Sequence, residues 1–124
     1  MALSTRPLSP HLQVYRLPLT ALLSITHRMT GVVLSFALIL ITALLLLLAQ
    51  GEPCYGQLLA YRDHILAQAV YGLLVYALCF HLCHGVRHLF WDAGSALDKA
   101  TMNLHAGVEL FASVLLWALA YFVI

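Results

Sequence analysis

Three stretches of this chain are long enough to cross a membrane and almost free of charge. Met29 to Ala49 has no charged residue and is built mainly from Leu, Ile, Val and Ala. Ile65 to Val86 carries His81 and His84 as its only titratable groups besides tyrosines and cysteines, and Leu104 to Ile124 has one charge, Glu109, about a turn inside its start. A helix rises 1.5 Å per residue, so about 20 apolar residues cross some 30 Å of hydrocarbon. Inside hydrocarbon every backbone amide must find its partner within the protein, and runs of this length exclude barrel strands of about 10 residues. The expected fold is all-α and integral to the membrane. An N-terminal segment (residues 1–21) precedes a three-span domain (22–124), with spans at about 22–49, 64–88 and 104–124 joined by two short polar segments.

Composition agrees. Of 124 residues only 9% are charged, against about 25% in soluble domains, and the mean hydropathy is +0.93. A net charge of +1 excludes a basic face broad enough for nucleic acid. Cys54, Cys79 and Cys83 lack CxxC spacing, which argues against a disulfide framework or a zinc knuckle. The first apolar run begins late and exceeds the roughly 7–15 residues of a signal-peptide core, so it reads as a retained anchor.

Arg6, Arg16 and Arg28 precede the first span and Arg87 and Lys99 lie between the second and third, leaving only Arg62 for the opposite face. The positive-inside rule then puts the N-terminus on the cytoplasmic side, or the matrix side of a mitochondrial inner membrane, and the C-terminus on the periplasmic or intermembrane side. Trp91 falls at one interface, and Tyr55, Tyr61, Trp117 and Tyr121 near the other. The proline-rich stretch RPLSPHLQVYRLPLT, with Pro7, Pro10 and Pro18, discourages continuous helix and reads as an ordered surface segment on the cytoplasmic side.

Two polar stripes interrupt the apolar pattern. His81, His84, Gly85 and His88 recur at three, four and seven and share a helical face. His81 lies about 10 Å deeper than His88, and an imidazole at that depth is costly unless paired or bound. Gly85 removes a side chain beside it, leaving room for a flat macrocycle or another helix. Three readings follow: interhelical hydrogen bonds, an axial His81 ligand to a b-type haem, or a metal cluster of His81, His84 and His88. One helix cannot supply both axial ligands, so a haem requires a second helix, in this chain or a partner. The second stripe, Ser24, His27, Arg28 and Gly31, enters the membrane from the side that the first leaves it. Arg28 suits a snorkelling anchor, a clamp for propionate carboxylates, or, with Ser24, a donor to a quinone carbonyl. His88 with Arg87 marks a polar mouth facing Arg28. His105 and Glu109, an i, i+4 pair, read as satisfying each other, and Asp92 and Asp98 as solvated charges or caps.

RPLSPH (Arg6 to His11), S-x-x-H-R-x-T-G (Ser24, His27, Arg28, Thr30, Gly31) and H-x-x-x-G-x-R-H-L-x-x-D (His81, Gly85, Arg87, His88, Leu89, Asp92) closely resemble the signature regions of succinate dehydrogenase cytochrome b subunits, the larger membrane anchor of respiratory complex II. The resemblance covers nearly the whole chain. It implies that His81 is an axial ligand of haem b, with the other histidine donated by a smaller anchor subunit. It implies that His27, Arg28 and His88, with Gly85, surround the haem and its propionates, and that Ser24 and Arg28 line the ubiquinone site. His84 has no counterpart in that pattern and reads as a polar packing contact, although it shares the face of His81 one turn away and is a rival ligand.

The chain has no dinucleotide-binding glycine pattern and no cysteine set for iron–sulfur clusters, so it is expected not to be an enzyme on its own. The implied partners are the smaller anchor, an iron–sulfur subunit, through the complex a flavoprotein, and the lipid bilayer, with no nucleic acid. The competing readings are a fumarate reductase anchor and a purely structural anchor without cofactor.

Overall fold

The computed structural model describes residues 15–95 and 97–123, leaving aside the side chains of residues 52–54. It contains four helices: α1 (Leu19–Leu48), α2 (Glu52–Arg62), α3 (Ile65–Asp92) and α4 (Lys99–Val123). Three of them, α1, α3 and α4, are long and apolar enough to cross a membrane. The RPLSPH motif lies outside the described residues.

Local chemistry sets the helix ends. Pro18 has extended backbone, and its carbonyl accepts from Ala21 and Leu22; a proline there forfeits an amide that a helix start leaves unpaired anyway, so α1 opens at Leu19. Gly51, at φ 97°, makes a turn that L side chains resist. Beyond it the connection between the first two spans, expected to be a short polar segment, coils into α2. Its Gln57-Leu58-Leu59-Ala60 core explains this, being made of good helix formers. His64 caps α3, its Nδ1 accepting from the Leu66 amide at 3.2 Å.

At the far end α3 continues past 88 to Asp92 and stops where Gly94 takes φ 73°. The Gly94 amide donates to Trp91 and the Ser95 amide to Phe90, a glycine-terminated end that satisfies the last carbonyls. α4 opens at Lys99 rather than 104 because Asp98 caps it, Oδ2 accepting from the Thr101 amide at 2.9 Å. That backbone N–H holds the Asp98 carboxyl below its ordinary value. The cap's contribution is therefore present above the unfolded carboxylate pKa and is lost as pH falls through the folded one.

Lipid tails are as apolar as leucine, so membrane helices associate through close packing and polar links rather than hydrophobic exclusion. Leu38, Ile39, Leu45 and Leu46 accordingly face outward from α1, while most inward positions are small or polar, among them Thr30 and Ala37 on α1, Gly72 and Ala77 on α3, and Ala106 and Ser113 on α4. Leu23, Phe80 and Ala106 form the core, flanked by Tyr76 and Leu110. α3 is central, packing most extensively on α4 and next on α1. Towards α2 an open groove of about 980 Å³ separates α1 from α3, and its only polar lining groups among the described residues are Tyr61, His64 and Tyr71.

The α3–α4 seam closes at that end around Gly72, whose carbonyl accepts from Trp117 Nε1 at 2.9 Å. A Cβ on Gly72 would stand 3.2 Å from the Tyr121 ring. Gly72→Leu is expected to force the helices apart and destabilise the protein by about 1–3 kcal/mol, the usual cost of overpacking. The thermal midpoint in detergent checks this; Gly72→Ala, which asks only a few tenths of an ångström of a movable ring, should cost less.

Candidate functional site

At the other end of the bundle four imidazoles meet. The three-and-four spacing on α3 turns His81, His84 and His88 toward α1, and His27 of α1 lies across them. Its ring stacks on His81 (centroids 4.0 Å, 19° between planes) and on His84 (4.4 Å, 28°), with His88 tilted at 5.7 Å. Close approach is possible because α1 carries Gly31 where it passes His81: a Cβ there would sit 3.2 Å from His81 Cε1.

For two of the four rings, His81 and His84, hydrogen-bond partners indicate which nitrogen carries the proton. Thr30 Oγ1 donates its single proton to the His27 carbonyl at 2.8 Å, so toward His81 Nδ1, 3.2 Å away, the hydroxyl oxygen acts as acceptor. The network thus assigns the proton of His81 to Nδ1 and leaves the Nε2 lone pair open. His84 reaches the same tautomer differently, its Nδ1 donating to Glu109 Oε1 at 2.7 Å. Burial separates the two: His81 is half-buried, whereas His84 is 0% exposed and its Nε2 has no partner among the described residues. His27 Nε2 is likewise buried without a partner among these residues.

Glu109 departs from the sequence reading. It does not pair with His105, which instead packs edge-on against Phe90. Both its oxygens face α3: Oε1 takes the His84 proton and Oε2 accepts from Arg87 Nη1 at 2.9 Å. A lone carboxylate inside a span is stable only beside a cation or donor, and at this position α4 packs on α3, which offers both. Arg87 is corrected too. It does not stand at a polar mouth with His88; it is 3% exposed and turned to α4, where Nη2 donates to the Met102 carbonyl at 3.1 Å. Its guanidinium lies 4.5 Å over the Trp91 ring.

The remaining expected site residues are distributed as follows. Among the described residues, nothing beyond its own turn of helix comes within 4 Å of where a Gly85 Cβ would be, so none of them covers the face beside His81. The α1 stripe divides: His27 and Gly31 turn to α3, Ser24 is half-buried, and Arg28 is exposed with no hydrogen bond or ion pair among the described residues. His27, His84 and His88 bring ring nitrogens within 4.8 Å of one another, but this is not a chelate. A metal about 2.0–2.1 Å from a ring nitrogen lies in the ring plane, and the nearly parallel planes of His27 and His84 meet well beyond that reach.

Thr30, Glu109 and, through Glu109, Arg87 hydrogen-bond into the imidazole cluster in ways that spacing did not reveal. A signal for the last two was present, since a lone acid in one span requires a cation in another. Thr30 stands in the S-x-x-H-R-x-T-G motif, but nothing in that motif showed that its hydroxyl meets His81.

Residues 2–120 match the family model described as succinate dehydrogenase/fumarate reductase transmembrane subunit. The chain is 38% identical over 116 residues to the succinate dehydrogenase cytochrome b556 subunit of Rickettsia felis, covering 94% of this chain and 90% of that protein. It is 39% identical to the cytochrome b556 subunit of Paracoccus denitrificans, covering 86% of each. It is 36% identical to the mitochondrial cytochrome b560 subunit of Sus scrofa, covering 90% of this chain and 68% of that one. Motifs, three-span architecture and these similarities agree: the chain belongs to the succinate dehydrogenase/fumarate reductase transmembrane subunit family.

Proposed function

We propose that this chain is the cytochrome b anchor of a succinate:quinone oxidoreductase, that His81 is one axial ligand of a b-type haem shared with a smaller anchor subunit, and that Ser24 and Arg28 belong to the ubiquinone site. The observation that carries the haem reading is the contrast between two neighbouring imidazoles. His81 has Nδ1 secured by Thr30, Nε2 open, a half-buried ring and free space beside Gly85. His84, with the same tautomer, is enclosed by protein. Only the first suits iron arriving from outside the bundle, because a ligating imidazole needs its second nitrogen held and its first accessible.

The group fits these residues. An apolar helical wall with a neutral imidazole is a common b-haem setting, and the orphaned His27 Nε2 is the kind of buried polar atom that a further group of the pocket satisfies. His27, His88 and Arg28 would surround the propionates. The haem supplies one-electron chemistry when bound; this chain orients it, shields it from water and sets its electrostatics. The names of the relatives favour the succinate-oxidising direction over fumarate reduction. The iron–sulfur and flavoprotein subunits would deliver the electrons, and the charge asymmetry puts the quinone end on the cytoplasmic or matrix side of an inner membrane.

The absorption spectrum of the purified complex tests the reading: a reduced b-type haem band is expected, and its absence would leave only the structural anchor. For the quinone site, Arg28→Leu removes a charge-assisted donor worth about 1.5–3 kcal/mol, so quinone reduction should fall about ten- to a hundredfold. Succinate oxidation with a soluble dye should persist. Equal loss of both in an assembled complex would instead mark Arg28 as an anchor.

A further inference from the structure

His84 and Glu109 do no work in the reading above, yet they are the most completely buried polar pair among the described residues, at 0% and 4% exposed. We infer that Glu109 is a positioning residue of the haem pocket, acting through His84. The proposal rests on the haem reading and goes beyond it by placing a control of the axial ligand on α4, which contributes no ligand itself.

The contacts run in one line. Glu109 Oε1 takes the His84 Nδ1 proton at 2.7 Å, which fixes both the tautomer and the plane of that ring. Phe80 stacks on the ring at 6.1 Å and His88 meets it edge-on at 4.9 Å, so it has little freedom to turn. His27 stacks on His84 and on His81. The orientation of His81 is thereby set from two sides: by Thr30 at Nδ1, and by a ring whose support traces back to a carboxylate on another helix. Glu109 itself is held by Arg87 Nη1 at 2.9 Å, and Arg87 by the Met102 carbonyl. A carboxylate behind a histidine commonly tunes metal sites directly; here the influence passes through stacked imidazoles.

A tie that merely joined α3 to α4 would affect stability and leave the haem's electronic signature alone. The ferric haem EPR signal responds to the orientation of the axial imidazole and to its surroundings, so it separates the two roles. The experiment compares assembled wild-type complex with Glu109→Gln, His84→Phe and the double variant, with His81→Ala alongside. Expected for the Glu109 and His84 variants are unchanged haem content, a displaced low-spin signal in Glu109→Gln, a displaced signal in His84→Phe, which keeps a flat ring but no Nδ1, and no further displacement when the two are combined. A wild-type signal in Glu109→Gln overturns the proposal. So does a displacement that adds to that of His84→Phe, since Glu109 would then act by another route. If Glu109→Gln does not assemble, Arg87→Met/Glu109→Leu removes the cation together with the carboxylate, and the same two outcomes decide. A native signal in His81→Ala would count against the haem reading itself, whatever the Glu109 variants show.

Discussion

Glu109→Leu is expected to destabilise the assembled complex by about 3–5 kcal/mol, the cost of leaving a buried charge without its partner. The size follows from what remains. Arg87, 3% exposed, would keep its charge with only the Met102 carbonyl and the Trp91 ring for company, and His84 Nδ1 would lose its acceptor. Were these ordinary interhelical hydrogen bonds, membrane measurements averaging about 0.6 kcal/mol would predict a barely visible effect; it is the stranded guanidinium that makes it large. Arg87→Met/Glu109→Leu should recover most of the loss, because a pair replaced by apolar groups of similar volume is often neutral. The thermal midpoint of the complex in detergent measures both. A single variant as stable as wild type would mean that Arg87 has another route to water or to a counter-charge.

His81→Ala is expected to strip the b-type haem band from the complex. Among the described residues no other imidazole can take over without rebuilding the site. His84 is fully buried with its Nδ1 proton committed to Glu109, and the Nε2 of His27 is buried beneath its neighbours. His88 lies about 10 Å along the axis from His81 at 1.5 Å per residue, too far for the iron to move while its other ligand stays fixed. His84→Ala should keep the haem, because it leaves Glu109 paired with Arg87 and the His81–Thr30 bond intact. The absorption band of reduced complex, compared at equal flavin content, reads the difference.

The architecture was legible because hydrocarbon leaves few options: uncharged runs of the right length become helices, and helical spacing alone places His81, His84 and His88 on one face. Helix ends were less so. The start of α4 depends on one Asp98 cap and the end of α3 on a positive-φ glycine, while α2 is a helix that neither charge nor length required. The pairing of Glu109 was misread because the i, i+4 rule knows only its own helix, and His105 was the neighbour in sequence. Its real partners lie 25 and 22 positions away on α3, and finding them requires knowing which faces of α3 and α4 meet. The same limit hid the contact of Thr30 with His81, which exists only because α1 passes His81 closely at Gly31.

The most direct test is imidazole rescue, run in parallel on complexes carrying His81→Gly and His84→Gly. The expected result is that His81→Gly lacks the haem band and regains it when free imidazole fills the vacated ligand position, while His84→Gly holds haem without any addition. Full haem in His81→Gly without imidazole, or loss and rescue in His84→Gly instead, would contradict the assignment and move the iron one turn along α3.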